Sequence, residues 1–276
     1  MRRRPIGMFD SGFGGLTVAR ATIDLLPNED IIYLGDTARY PYGPRPQDQV
    51  REYAIEIADH LVDRYGIKVL VVACNTATAA ALDHLAEQLP IPVLGVVDPG
   101  VRALVDASES GRFGVIGTIG TIGSGAYDEA LSRIAPDTKL LSCACPGFVE
   151  FVERGLTKGA EVEMLARRML APVVAADLDA LLLGCTHYPY LNRVIGDVVG
   201  RGVVLVSSAD ETAFALARLL ADLDLENPDR NRVGRQQFVS SGDIRAFTEL
   251  GSRLLGPELI DAELWRPGES DTETGA

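Results

Sequence analysis

The sequence predicts an α/β protein of two similar domains, each a mostly parallel sheet flanked by helices, related by a pseudo-two-fold, with a functional site in the cleft between them. Three observations carry this prediction. Short apolar runs alternate with amphipathic stretches along the chain, the β-α-β-α order that builds parallel sheets. Two runs, Val69–Ala73 and Ala180–Leu183, are apolar throughout, as strands covered on both faces are. The two halves also echo each other. Ile6–Phe9 ends in Asp10-Ser11-Gly12-Phe13-Gly14-Gly15, and Phe113–Ile116 ends in Gly117-Thr118-Ile119-Gly120-Thr121. Val69–Ala73 ends in Cys74-Asn75-Thr76, and Ala180–Leu183 in Gly184-Cys185-Thr186. The matched turns recur at nearly equal separations, and with two copies this is a duplicated unit rather than a solenoid.

In chain order the expected strands are Ile6–Phe9, Ile31–Leu34, Val69–Ala73, Val93–Val97, Phe113–Ile116, Leu140–Ser142, Ala180–Leu183, Val203–Val206 and Gln237–Ser240. Helical patterns lie between them at Gln47–Tyr65, Thr78–Leu89, Val101–Ser108, Ala126–Ile134, Glu161–Ala176, Glu211–Leu220 and Ile244–Leu255. The polar end of the chain, 267–276, lacks periodicity and is expected to be a disordered tail.

A chain of 276 residues, 47% hydrophobic and 24% charged, has room for one large or two modest cores. Its net charge of −13 and pI of about 4.7 repel phosphate backbones and argue against a nucleic-acid partner. The basic run Met1-Arg-Arg-Arg4 is not followed by an apolar signal core, and no run of about 18 apolar residues occurs. The expectation is a cytoplasmic protein with no membrane partner. In a reducing cytosol its cysteines, at 74, 143, 145 and 185, are not expected to pair. Cys143-Ala-Cys145 lacks a second close pair of ligands, so both are read as buried small hydrophobes and no metal is expected.

Cys74 and Cys185 each end a buried strand before a polar residue suited to a helix N-cap, and Pro189 suits a first helical turn. A helix N-terminus lowers the pKa of a nearby thiol and binds carboxylate. One such cysteine alone reads best as packed core; two in equivalent places favour function. A thiol on each side of a bound carbon suits proton removal from one face and delivery to the other, which is racemisation or epimerisation.

Asp10-Ser11-Gly12-Phe13-Gly14-Gly15 has neither dinucleotide nor P-loop spacing. Asp10 serves equally as a turn aspartate or as a partner for a proton or a ligand ammonium. The loop Gly35-Asp36-Thr37-Ala38-Arg39-Tyr40-Pro41-Tyr42-Gly43 offers hydroxyl and backbone donors at a sheet end. His187 can assist Cys185, bind metal or cap a helix. His60 and His84 are expected at the surface, and Glu153 by default on a solvated helix face. Two other classes compete: a non-catalytic two-domain solute binder, and a metal hydrolase using Cys74, Cys185 and His187, whose soft ligand set lacks a supporting carboxylate–His motif.

Taken together the motifs resemble the glutamate racemases of the aspartate/glutamate racemase family. The matching pieces are Phe9-Asp-Ser-Gly-Phe-Gly-Gly-Leu-Thr17, Gly35-Asp-Thr-Ala-Arg-Tyr-Pro-Tyr-Gly43, Ala73-Cys-Asn-Thr-Ala-Thr78, Val152-Glu153 and Leu183-Gly-Cys-Thr-His-Tyr-Pro189. The resemblance implies a two-base mechanism with no cofactor, in which Cys74 acts on D-glutamate and Cys185 on L-glutamate. It implies that Asp10 and His187 assist the thiols, with Asp36 and Glu153 as further catalytic candidates. Substrate binding would fall to Ser11, Tyr42 and Gly43 for the side-chain carboxylate, with Pro41 also in the binding set. Asn75, Thr76 and Thr186 would hold the α-carboxylate and amino group, with Thr118, Thr121, Asp10 and His187 also in the binding set. It implies a first domain of 1–97 plus 209–266, a second of 98–208, and D-glutamate made for peptidoglycan. The expected partner is L- or D-glutamate, and a homodimer stays open. Aspartate racemases, the sister group, typically carry a carboxylate where this chain has His187 and lack the Asp36–Gly43 loop pattern.

Overall fold

The computed structural model describes residues 1–268. Ten strands are described: β1 (Ile6–Asp10), β2 (Ile31–Gly35), β3 (Val69–Val72), β4 (Val93–Gly95), β5 (Phe113–Gly117), β6 (Leu140–Ala144), β7 (Ala180–Gly184), β8 (Val204–Ser207), β9 (Gln236–Ser240) and β10 (Glu263–Leu264). The helices are α1 (Leu16–Leu25), α2 (Gln47–Tyr65), α3 (Asn75–Gln88), α4 (Val97–Ala107), α5 (Ile119–Gly123), α6 (Ala126–Ile134), α7 (Phe148–Glu153), α8 (Ala160–Met169), α9 (Ala171–Ala175), α10 (Asn192–Val199), α11 (Ser208–Asp222) and α12 (Ile244–Leu254).

The strands form two sheets, a six-stranded one in the order β10-β9-β2-β1-β3-β4 and a four-stranded one in the order β6-β5-β7-β8. Every described pairing is parallel. The two-residue period of a strand sends alternate side chains to opposite faces. On one face of the larger sheet, Ile6, Met8, Tyr33 and Val71 pack with Leu216 and Leu220 of α11. On the other, Phe9, Leu34 and Val72 pack with Ile57 and Leu61 of α2 and Ala77 of α3. The smaller sheet repeats the scheme, with Leu181 and Leu183 against α8 and α10, and Val115 and Leu182 against α4 and α6. Burying each such aliphatic side chain stabilises the fold by roughly 1.5–3 kcal/mol.

The chain leaves the larger sheet after β4, and α4 packs Val101 and Leu104 onto the smaller one. After β8 it returns through α11, which lies in the core of the larger sheet. In parallel sheets the carboxyl ends of the strands share an edge. That geometry brings Asp10 and Cys74 to one edge and Thr118 and Cys185 to the other.

Several elements differ from expectation. The run Val93–Val97 stops as a strand at Gly95, because Val97 begins α4, whose first turn accommodates Pro99. The stretch Glu161–Ala176 is two helices, broken at Leu170, since Pro172 has no N–H to continue the ladder. Helix α3 begins at Asn75, earlier than Thr78. Helices α1, α5 and α10 and strand β10 lie outside the expected elements. Of the residues read as a disordered tail, Gly268 donates its N–H to Glu56 Oε1 at 2.6 Å, and 269–276 lie outside the described residues.

Candidate active site

Cys74 follows β3 after one residue, Ala73, and is the N-cap of α3, its sulfur accepting the Ala77 N–H at 3.5 Å. The thiol faces Ser11 Oγ at 3.9 Å and is only 5% exposed. The helix amide does pull the thiol toward ionisation, as the sequence suggests, but it does not win. Burial first, and then the nearby Asp10 carboxylate, push the Cys74 thiol well above its ordinary range. Asp10 is fully buried and takes the turn role, with its second oxygen turned to the cleft. One oxygen accepts the Gly12 N–H at 3.1 Å as a turn aspartate, and the other accepts the Thr186 hydroxyl at 3.4 Å across the cleft.

Cys185 ends β7 but does not cap an α-helix. The chain turns through a bend into a short 3₁₀ segment, Tyr188–Leu191, which holds Pro189, and only then enters α10. In place of a helix end, this thiol has an imidazole. His187 Nδ1 lies 3.9 Å from Cys185 Sγ, and His187 Nε2 donates to Glu153 Oε1 at 2.6 Å. Burial opposes charge on His187, yet its hydrogen bonds to Cys185 and Glu153 outweigh that cost and hold the ring well above its ordinary pKa. Glu153, on α7, is thus turned inward and not onto a solvated face, with its side chain 14% exposed.

Both thiols line one cleft, open to solvent, with about 590 Å³ of unfilled space. Its walls include Ser11, Pro41, Tyr42, Gly43, Asn75 and Thr76 from the larger-sheet side. Thr118, Thr186 and His187 line it from the smaller. Thr121 stands behind Thr76 and Thr118; the three hydroxyls lie within 3.0 Å of one another across the domain junction. Tyr127, also from the smaller-sheet domain, donates its hydroxyl to Asn75 Oδ1 at 2.6 Å. That leaves Asn75 Nδ2 with no protein partner, and the buried hydroxyl of Tyr40, also on the wall, has none either. Such buried polar groups call for a hydrogen-bonding ligand. Close approach of the halves depends on Gly14: a Cβ there would stand 2.3 Å from Thr186 Oγ1 and 2.4 Å from His187 Nδ1.

Asp36 does not line the cleft. It is fully buried, and its carboxylate is taken up by Arg39 Nε at 2.7 Å, Ser241 Oγ at 2.6 Å and the Tyr42 hydroxyl. This position suits holding Tyr42, not handling a substrate proton. Cys145 is buried as expected but forms part of the cleft wall, while Cys143 is only half-buried. Tyr40 and Glu150 also line the cleft and were not singled out; Tyr40 sat within a loop already marked as functional. His84 is exposed, whereas His60 is half-buried and stacks on Trp265.

Two parallel α/β domains that each deliver a thiol to a shared cleft have the arrangement of an amino-acid racemase of the two-domain type. The model of the Asp/Glu/Hydantoin racemase family matches residues 16–216. A glutamate racemase from a Parafrankia species is 51% identical over 265 residues, covering 94% of this chain and 93% of the relative. A glutamate racemase isoform from Bacillus anthracis superposes with a TM-score of 0.90 at 40% identity, covering 96% of this chain and 98% of that one. The glutamate racemase of Francisella tularensis, solved with D-glutamate, gives 0.89 at 34% identity, covering 97% and 99%. The chain belongs to the Asp/Glu/hydantoin racemase family, among its glutamate racemases.

Proposed function

We propose that the enzyme interconverts L- and D-glutamate by two-base proton transfer between Cys74 and Cys185, without pyridoxal phosphate, metal or nucleotide. The observation that carries this is the pair of thiols, one from each domain, on a single cleft. From L-glutamate, Cys185 as thiolate takes the α-hydrogen as a proton, and Cys74 as thiol gives its own proton to the opposite face. The products are D-glutamate, a Cys185 thiol and a Cys74 thiolate, and exchange with solvent restores the starting charges. Burial that keeps Cys74 protonated suits it to the acid role in this direction. Asp10 assists Cys74, and His187, oriented by Glu153, assists Cys185. Ser11, Tyr42 and Gly43 receive the side-chain carboxylate, with Pro41 on the adjoining wall. Asn75, Thr76 and Thr186, backed by Thr118 and Thr121, receive the α-carboxylate and amino group.

The division into 1–97 plus 209–266 and 98–208 gives each domain one base, with the crossings at the start of α4 and of α11. Among the described residues no helix is long and apolar enough to cross a membrane. A cytoplasmic enzyme supplying D-glutamate to peptidoglycan fits this reading. So does a homodimer, which sedimentation of the purified chain scores.

The test is an enantiomer-resolved assay of L-glutamate in deuterated water, on protein freed of metal and pyridoxal phosphate and kept under a thiol reductant. D-glutamate formed early should carry deuterium at the α-carbon almost completely, and the remaining L-glutamate little. Activity that vanishes on chelation and returns with zinc, or early product rich in the original hydrogen, defeats the proposal.

A further inference from the structure

The loop that brings Tyr42 and Gly43 to the cleft is held by residues that do not line it. Asp36 accepts the Tyr42 hydroxyl and Arg39 Nε on the same oxygen. The Arg39 guanidinium pairs with Glu56 and sits between two rings, its Cζ 4.2 Å from the Tyr53 centroid and 5.4 Å from that of Trp265. Trp265 comes from the far end of the described chain. There β10 adds two residues to the edge of the larger sheet, and the Trp265 N–H donates to Ser240 O at 2.9 Å. Both β10 residues are exposed, so the strand pairing alone anchors little. The anchor is the indole, 6% exposed and stacked on His60 at 5.1 Å. Just beyond it, the Gly268 N–H reaches the same Glu56 that pairs with Arg39.

We propose that Trp265 is a positioning residue for glutamate binding. Its ring holds the Arg39 guanidinium, Arg39 and Asp36 hold the Tyr42 hydroxyl, and the C-terminal strap thereby sets the loop that receives the distal carboxylate. A cation held over aromatic faces is fixed in direction as well as attracted, which an aliphatic side chain of similar size does not reproduce. The coupling is reciprocal: a carboxylate seated on the loop must be felt at the strap.

The inference rests on glutamate as substrate, so racemisation by the parent enzyme is scored first, and a failure there belongs to the functional reading. In a racemising parent, W265L should raise KM for both enantiomers about fivefold with kcat within about twofold, as loss of one such contact implies. W265F, which keeps a ring, should stay near the parent. A parental KM in W265L, or a fall in kcat alone, overturns the proposal. Should W265L fail to fold, the unmodified enzyme still decides. Trp265 is the sole tryptophan of the chain, and its emission should change saturably with D-glutamate, half-maximal near KM. Emission indifferent to saturating glutamate overturns the proposal equally.

Discussion

Cys74 and Cys185 occupy matching places in two similar half-molecules, yet their surroundings differ. The first thiol caps a helix, receives a backbone N–H and faces a carboxylate. The second has no helix end and is served by an imidazole backed by Glu153. The two halves therefore place each thiol alike, at the carboxyl end of a buried strand, and differ in the groups that surround it. A racemase tolerates this asymmetry for a thermodynamic reason. Two enantiomers in achiral water are equal in free energy, so kcat/KM must be the same in both directions however unlike the two walls are. Asymmetry is free to appear in kcat and KM taken separately, and in which protonation state waits for which enantiomer.

The sharpest break of the comparison is to remove one wall at a time. Cys74→Ala and Cys185→Ala should each lower racemisation by about 10³-fold or more, because each direction needs one base and one acid. The walls should then be told apart by exchange without inversion. In deuterated water, Cys74→Ala retains the base for L-glutamate and should wash out the α-hydrogen of that enantiomer only. Cys185→Ala should do so for D-glutamate only. Proton NMR of each enantiomer reads this directly, given variants with the parent's thermal transition. Near-normal racemisation by either variant removes the two-base mechanism.

Next in size is the apparatus peculiar to the second half. His187→Asn should cost about 10²-fold in kcat and Glu153→Gln about tenfold, in the range of general acid–base assistance. The same pair predicts a pH effect on stability. The folded-state pKa of His187 is raised above its ordinary 6.5. Its contribution is therefore fully present below that value and is lost as pH rises through the elevated one. Across that window the parent should lose thermal stability relative to Glu153→Gln, in which the hydrogen bond that helps raise the pKa is weakened. Parallel melting curves for the two proteins across that window contradict the Glu153–His187 link.

The halves differ most in how much of them the sequence reveals. Both cysteines are legible because an all-apolar strand ending in Cys and a capping residue is a local pattern, and it occurs twice. The role of Glu153 is not, because α7 carries Phe148 and Val152 inward like any amphipathic turn, and only the fold brings its carboxylate to His187. The Cys74 thiol departs from expectation for a related reason. A helix end is visible in sequence, but the burial that overrides it at Cys74 is set by both domains together. Asp36 lies in a motif rich in functional residues, yet its three partners, one of them Ser241, place it behind the binding loop. Strand β10 has no alternating pattern to detect, since its two residues are exposed and the buried anchor is the next residue, Trp265.

At the proposed site for the distal carboxylate the comparison ends, since Ser11, Tyr42 and Gly43 all come from the first half. Ser11→Ala should lower kcat/KM for glutamate about tenfold, the worth of one hydrogen bond to a charged group. Aspartate, one methylene shorter, leaves these donors unpaired and should be a poor substrate. Comparable kcat/KM for the two amino acids refutes the assignment of this wall.

The smallest effects are expected at the other two cysteines, and Cys145 is the informative one. It lies on the cleft wall, in the same half as Cys185, so wall position alone would qualify it as a base. What it lacks is a proton-handling partner. Burial, and after it the neighbouring Cys143, push its thiol up, so it stays protonated. Its backbone bonds survive any side-chain change: the N–H donates to Gly117 O at 2.9 Å and the carbonyl accepts the Tyr188 hydroxyl at 3.0 Å. Cys143, half-buried, contacts the Met169 carbonyl at 3.5 Å and is away from the wall. Cys143→Ala should keep racemisation within about twofold, and Cys145→Ala within about threefold, with a stability loss of about 1 kcal/mol for the small cavity. Early D-glutamate from Cys145→Ala should still be fully deuterated. A loss comparable to that of Cys185→Ala would move the second base from the end of β7 to the turn after β6, and the symmetry between the two strand-end thiols would go with it.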